Sequence, residues 1–168
     1  MNKLVRILKH RWLDERDSAR AIGAEGLQRL QARVQRSEKA HSGEIRLCIE
    51  AGLPTSYLWQ NLGARDRAVT MFGKLRVWDT EANNGVLIYL LLAEQAIEIV
   101  ADRGLARHVP PAYWQGIVAG MSEAFRAGRY EDGLNAAIDA VDAVLLAHFP
   151  LAEGAPNPNE LPNAPYLR

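Results

Sequence analysis

Apolar residues follow two different periods along the chain, and segments of the two kinds alternate. Residues 44–50 alternate between apolar and polar or small side chains, which predicts a half-buried strand. Residues 86–92 are apolar at every position, as is typical of a central strand covered by helices on both faces. Residues 96–101 alternate again after a short connection, which predicts a hairpin. A helix joins the first two strands, so these two should be parallel and the third antiparallel.

The remaining segments repeat their apolar residues at the period of a helix. Asp17 or Ser18 is expected to cap a helix that runs to about His41, and a second helix is expected over about 62–77. The sequence Pro110-Pro111 predicts the start of a third helix. The fourth carries a regular stripe, formed by Leu134, Ile138, Val141, Leu145 and Phe149. The order α-α-β-α-β-β-α-α predicts an α/β protein, a three-layer α/β/α sandwich with a small mixed sheet, over residues 17–149.

The two ends of the chain are predicted to lie outside this sandwich. Residues 1–16 form a basic amphipathic helix, with Leu4, Ile7, Leu8 and Trp12 as its apolar stripe. The first expectation is that this stripe docks on its own domain or on a sister subunit, which leaves a homo-oligomer open. The alternative is contact with an anionic membrane surface or a partner protein. Residues 150–168 are rich in proline and asparagine, and they are expected to be mobile or to lie strapped on the surface.

Oxygen-bearing side chains are predicted to gather at one edge of the sheet, where the first two strands begin and the third ends. Carboxylate and amide oxygens are the ligands that Ca²⁺ prefers. The turn at 79–90 nevertheless departs from the calcium-loop pattern, because Asn84 stands where glycine is required. Arg103 and the start of the Pro110 helix are candidates for holding an anion. The predicted metal ligands are Glu44, Asp79, Glu81, Asn83, Asn84 and Asp102.

The amino-acid composition argues against several classes of function. Twenty basic and twenty acidic residues cancel, which argues against a nucleic-acid partner. Cys48 is the only cysteine, so neither an internal disulfide nor a cysteine zinc site is expected. The longest apolar run, residues 86–93, is too short to span a bilayer, and the charged N-terminal segment does not resemble a secretory signal. A soluble cytoplasmic protein is expected, and no nucleotide-binding or hydrolase motif identifies catalytic residues.

Four segments in order resemble the TPM domain family, which includes thylakoid-lumen photosystem-repair proteins and many bacterial homologues. The resemblance covers about residues 25–149. It implies the three-layer α/β/α fold. Because neither a signal peptide nor a membrane span is expected, the chain resembles the soluble bacterial branch of the family. The segments are Ser42–Ile45, Asn84–Leu87, Ile97–Leu105 and Phe125–Tyr130 with Gly133.

The resemblance implies three kinds of function. Family members have been credited with binding Ca²⁺ or another divalent cation, with phosphatase activity in plant relatives, and with maintenance of membrane proteins through protein partners. Many members carry aspartate-asparagine before the glycine, where this chain has Asn83-Asn84. That difference removes one formal charge and lowers the expected cation affinity. We therefore expect a non-catalytic cation-binding or accessory module, with a metal-dependent phosphomonoesterase as the alternative.

Overall fold

The computed structural model describes residues 3–152 and 154–168, and it confirms the predicted three-layer fold. Within these residues the sheet has four strands in the order β3-β2-β1-β4. They span Ile45–Glu50 (β1), Val86–Leu91 (β2), Ala96–Ala101 (β3) and Tyr166–Leu167 (β4). Strand β2 runs parallel to β1 and antiparallel to β3, as predicted, and β4 is parallel to β1. The two residues before Lys3, the Lys3 side chain and Glu153 belong to the predicted terminal segments but lie outside the described residues.

Helices cover both faces of this sheet. The helices are Lys3–Arg11 (α1), Glu15–Ile22 (α2), Ala24–Ser37 (α3), Thr55–Trp59 (α4), Ala64–Lys74 (α5), Arg103–Ala106 (α6), Pro111–Arg126 (α7) and Tyr130–His148 (α8). One face packs against α3, α7 and α8, and the other packs against α4 and α5. Both β1 and β2 are buried along their whole length. The half-buried prediction for β1 is therefore wrong, because the polar side of this strand is also covered.

The long helix predicted from position 17 or 18 to about 41 is instead two helices. Gly23 separates them with a φ of 78°, a conformation that favours glycine. The residue that caps α2 is Asp14, whose carboxylate accepts hydrogen bonds from the N–H groups of Arg16 and Asp17. Asp17 is the third residue of the helix and completes a capping box, so the cap was predicted about one turn too late in the chain.

The inner face of α5 also differs from the prediction. Ala68 and Met71 are buried, whereas Val69 is 52% exposed. The helix is rotated because Arg67 points into the protein, where its guanidinium makes two hydrogen bonds to the Glu50 carboxylate at 2.6 and 2.7 Å. The period of the apolar residues predicts that Arg67 is exposed to solvent. The inner face of the helix was therefore predicted about one residue out of register.

The C-terminal strap, residues 154–168, lies against the outer side of β1. Arg46 donates hydrogen bonds to the carbonyls of Pro162 and Ala164, and Leu161 is buried in the core. The N–H of Ala51 donates to Arg168 O at 2.7 Å. Of the two alternatives for this segment, the structure shows the strapped one. The strap pairs with the strand that would otherwise be the edge of the sheet.

Candidate functional site

The predicted site residues belong to one end of the sheet, where β1 and β2 begin and β3 ends. Val86 is opposite Ile45 on one side and Ala101 on the other. The N–H of Val86 donates to Glu44 O at 2.8 Å, and the N–H of Asp102 donates to Gly85 O at 2.9 Å. Positions 44, 85 and 102 therefore lie side by side, as the topology predicts.

Asn84 and Gly85 form the tight entry into β2. The Asn84 N–H donates to Thr80 Oγ1 at 3.1 Å, and its Nδ2 donates to Ser42 Oγ at 3.2 Å. The side chain is buried, and no hydrogen-bond donor among the described residues lies within reach of its Oδ1. A Cβ at Gly85 would lie 2.0 Å from Val77 O, so only glycine fits there. This fixed backbone holds the Asn84 amide at the end of the sheet.

Asp102 lies where β3 passes into α6. One carboxylate oxygen, Oδ1, accepts a hydrogen bond from the N–H of Arg103 at 2.7 Å and so caps the short helix. The other oxygen, Oδ2, is buried and has no donor within reach among the described residues. Unpaired buried oxygens cost free energy. Asn84 and Asp102 thus each place one unsatisfied oxygen at this end of the sheet.

The other predicted ligands are used differently. Glu44 is buried and accepts hydrogen bonds from the N–H groups of Glu160 and Leu161 at 3.2 and 3.0 Å. Burial raises the pKa of this carboxyl group. Asp79 is exposed and pairs with Arg76. Among the described residues, no three His, Cys, Asp or Glu side chains meet in an arrangement that could hold a metal ion.

Glu81 and Asn83 lie in the exposed part of the turn before β2. The Glu81 N–H donates to Glu160 Oε2 at 2.8 Å. Asn83 has a φ of 51°, and its carbonyl accepts from the N–H of Gly104 at 2.8 Å. Both residues therefore contribute main-chain contacts that tie the turn to the strap and to α6.

A small cavity lined by two arginines adjoins this turn. Its volume is about 280 Å³, and Asn83, Arg103, Gly104 and Arg107 line it together with Ala82. Both guanidinium groups are on exposed residues, and no ion pair within the described part of the chain involves them. Arg103 therefore lies where the sequence predicts an anion contact, and Arg107 is a second candidate that the sequence did not single out.

Sequence reasoning also missed a second buried carboxylate behind the strap. Glu38 accepts a hydrogen bond from the N–H of Ile45 at 2.9 Å and another from Asn163 Nδ2. Burial raises the pKa of Glu38 to about 8, and the nearby Glu44 carboxylate adds to the effect. The end of a predicted helix gave no reason to expect a buried acid, because the residue that covers it lies 125 positions further along the chain.

His41, which lies between α3 and β1, is an interior residue. Its Nε2 lies 2.9 Å from Ser37 Oγ and 3.2 Å from an Asp142 oxygen. Burial lowers the pKa of His41, although the Asp142 carboxylate opposes this shift. The ring is fully buried and therefore joins α3 to α8 instead of facing the site.

The fold and the site define the class of protein. It is an α/β protein with a four-stranded mixed sheet, helix layers on both faces and a polar turn at the entry to the central strand. The chain belongs to the TPM domain family, which matches residues 16–144 and confirms the resemblance of the sequence motifs. A search of curated proteins finds no significant match. Among the described residues, no helix is long and apolar enough to cross a membrane.

Solved structures of other proteins share this fold, among them the following two. The BA42 protein of the psychrophilic bacterium Bizionia argentinensis is 27% identical, with a TM-score of 0.73 over 86% of this chain and 94% of that chain. The N-terminal domain of a P. gingivalis protein is 20% identical, with a TM-score of 0.60 over 79% of this chain and 88% of that chain. The second similarity concerns the fold alone.

Proposed function

We propose that the entry end of the sheet binds a divalent cation through Asn84 Oδ1 and Asp102 Oδ2. The protein would then be a non-catalytic cation-binding module that acts through a partner protein. The proposal depends on two buried, unpaired oxygens. One belongs to Asp102, whose N–H donates to Gly85 O, and the other belongs to Asn84, the residue before Gly85. A hard cation within reach of both oxygens would satisfy them, because Ca²⁺ accepts carboxylate, amide and carbonyl oxygens together.

The charge of this site sets its expected affinity. Asp102 contributes one formal negative charge, and the remaining ligands would be neutral oxygens from Asn84, main-chain carbonyls and water. Calcium sites with few charged ligands bind in the range of about 10⁻⁴–10⁻³ M. The resemblance to cation-binding family members supports the proposal, and the asparagine at position 83 fits the lower affinity.

Amide chemical shifts measured during a Ca²⁺ titration would test the proposal. We expect shifts centred on residues 83–85 and 102–104 at millimolar Ca²⁺. Asp102→Asn should abolish them while it keeps the helix cap, since asparagine caps helices as well as aspartate does. Asp79→Asn removes an exposed carboxylate in the same turn and serves as the matched control, which should titrate like the wild type.

A gain of affinity would give a second readout of the same proposal. Asn83→Asp restores the acidic residue found in many family members, and aspartate tolerates the positive φ at this position. We expect this variant to bind Ca²⁺ more tightly than the wild type. A wild type without shifts at millimolar Ca²⁺, or equal titration of Asp102→Asn, would reject cation binding at this end of the sheet.

The arginine-lined cavity favours a second candidate, a metal-dependent phosphomonoesterase. Arg103 and Arg107 could hold phosphate oxygens, while a cation on Asp102 would neutralise the developing charge. Hydrolysis of an aryl phosphate should then be lost in Asp102→Ala, in Arg107→Gln and on chelation, and retained in Asp79→Asn. Hydrolysis that survives both Asp102→Ala and chelation would come from a contaminant and would reject this candidate.

A further inference from the structure

The first helix is attached to the protein by its polar side. The guanidinium of Arg6 donates to Glu94 Oε1 at 2.8 Å and to Leu62 O at 2.7 Å. His10 is buried, and its Nδ1 accepts a hydrogen bond from the N–H of Leu53 at 2.9 Å. A Cβ at Gly52 would lie 2.6 Å from His10 O, so the backbones touch at this point. These contacts fix the rotation of α1 about its own axis.

As a result, α1 turns its apolar stripe outward. Leu4 is 68% exposed, Val5 53%, Leu8 57% and Trp12 85%. Of the stripe predicted from sequence, Ile7 alone packs against the core. The expectation that the helix docks this stripe on its own domain is therefore wrong for the other three members. We call Leu4, Val5, Leu8 and Trp12 the outer stripe.

Basic side chains border the outer stripe on both sides. At 100° per residue, the outer stripe covers an arc of about 100°, with Lys9 just beyond one margin and Arg11 just beyond the other. Both residues are exposed, and neither forms an ion pair within the described part of the chain. An apolar face with cationic margins and a tryptophan at its end is the pattern of a helix that lies in a membrane interface.

We infer that the outer stripe binds the surface of an anionic lipid bilayer, with α1 parallel to the plane of the membrane. The apolar residues would enter the acyl-headgroup boundary, and Lys9 and Arg11 would contact lipid phosphates. A second copy of the chain fits less well, because pairing two outer stripes would bring their cationic margins together. The helix has nine residues, so the binding is reversible and depends on the lipid charge. This inference does not rest on the cation site.

Flotation of the full-length protein with lipid vesicles, in the presence of a chelator, tests the inference. The wild type should bind vesicles that contain phosphatidylglycerol and remain unbound with pure phosphatidylcholine. Leu8→Asn and Trp12→Ala should each lower the partition coefficient about tenfold, the effect expected when one large apolar contact is lost. Val69→Asn, at an exposed apolar residue on α5, is the matched control and should bind like the wild type.

The charge contribution is tested separately. Lys9→Gln and Arg11→Gln should each weaken binding about fivefold, with a loss of salt dependence. The control variant Lys39→Gln/Lys74→Gln has the same net charge as the Lys9→Gln/Arg11→Gln double variant and should bind like the wild type. Since all these side chains are exposed, thermal unfolding monitored by circular dichroism should be unchanged.

Three results would overturn the inference. The first is wild-type protein that stays unbound with phosphatidylglycerol vesicles at low salt. The second is equal binding by Leu8→Asn, Trp12→Ala and Val69→Asn. The third is a dimer in light scattering that Trp12→Ala dissociates while no variant binds vesicles, which would make the outer stripe an interface between copies.

Discussion

Arg6 and Glu94 join the first helix to the turn between β2 and β3, with Nε of the arginine 2.8 Å from Oε1 of the glutamate. His10, one helical turn later, reaches the same oxygen at 3.1 Å. One carboxylate thus holds two side chains from the polar side of α1. The hydrogen bond from His10, followed by that from Arg6, lowers the pKa of Glu94.

Replacement of Glu94 by glutamine should loosen α1 without unfolding the sheet. We expect faster hydrogen exchange of the α1 amides in Glu94→Gln, because a neutral side chain binds the Arg6 guanidinium and the His10 ring more weakly. A carboxyl group with a lowered pKa stabilises the docked state above its unfolded pKa, and this stabilisation is lost as the pH falls through the lowered value. Acidification should therefore lower the protection factors of the α1 amides more in the wild type than in the variant.

A matched control separates this effect from a general loss of charge. Glu98→Gln removes a carboxylate on the neighbouring strand that faces Arg65 at 3.6 Å, a contact remote from α1. Exchange of the α1 amides should be unchanged in Glu98→Gln. Equal exchange in wild type and Glu94→Gln would contradict the assigned role of Glu94.

The buried pair of Arg67 and Glu50 predicts a large loss of stability. Arg67 makes two hydrogen bonds to the carboxylate, and Tyr89 Oη donates a third at 2.8 Å. Arg67→Met should lower the free energy of unfolding by about 3–5 kcal/mol, because it leaves the Glu50 charge buried without its main partner. Urea unfolding measures this loss.

Two further variants sharpen that prediction. Arg129→Met removes a partner from an exposed ion pair with Asp132 and should cost less than about 1 kcal/mol. The double variant Arg67→Met/Glu50→Leu should recover part of the loss, since it removes the buried charge as well. A single Arg67→Met variant as stable as the control would contradict the importance of the pair.

Glu38 predicts a pH dependence of opposite sign to that of Glu94. Its pKa of about 8 lies above the ordinary value of 4.5, so the folded protein retains a proton that the unfolded chain releases. The contribution of Glu38 to stability is therefore full at acid pH and is lost as the pH rises through about 8. Glu38→Gln should raise the melting temperature at pH 8 and flatten its pH dependence between about 5 and 8.

The comparison with Glu25→Gln, at an exposed position on α3, controls for the removal of one negative charge. This variant should keep the pH dependence of the wild type. A melting temperature of Glu38→Gln that falls at pH 8, with the wild-type slope retained, would show that Glu38 is ionised in the folded protein.

Cys48 predicts slow thiol chemistry. The side chain is fully buried in β1, and burial raises the pKa of its thiol. A thiol-reactive disulfide reagent at pH 8 should label the native protein only at the rate of unfolding, whereas labelling in strong denaturant should be fast. Rapid labelling of the native protein would show that β1 opens locally.

Local patterns predicted the centre of the fold well. Residues 86–91 are apolar at each position, and a strand between two helix layers is the arrangement that buries both faces. The stripe of α8 was predicted correctly for the same reason, because Leu134, Ile138 and Leu145 all face the core. In both elements the apolar side chains face the protein, so periodicity and burial agree.

The errors occur where a polar side chain faces inward. Arg67 and His10 are buried beside carboxylates, and each rotates its helix away from the orientation that an apolar stripe predicts. The contacts of the strap could not be predicted for a similar reason, since Glu44 and Arg46 bind its main chain and not its side chains. The strap residues that they bind lie more than 100 positions away and leave no local signal.

The candidate site was also predicted correctly in its position but not in the contacts of its side chains. Topology alone placed positions 44, 84 and 102 at one end of the sheet. It could not distinguish Glu44, whose oxygens are used by the strap, from Asp102, which keeps one oxygen unpaired. That distinction depends on hydrogen bonds made by residues of the C-terminal segment, for which the sequence left a mobile and a strapped arrangement open.

The strap also has a consequence for synthesis of the protein on the ribosome. The Ser18 hydroxyl donates to Arg168 O at 2.9 Å across 150 positions of sequence, and Tyr166 pairs with Cys48. Until residues 166–167 are in place, β1 has no neighbouring strand on its outer side and offers open main-chain groups to any other extended chain. We expect aggregation or chaperone capture to be confined to that interval of translation.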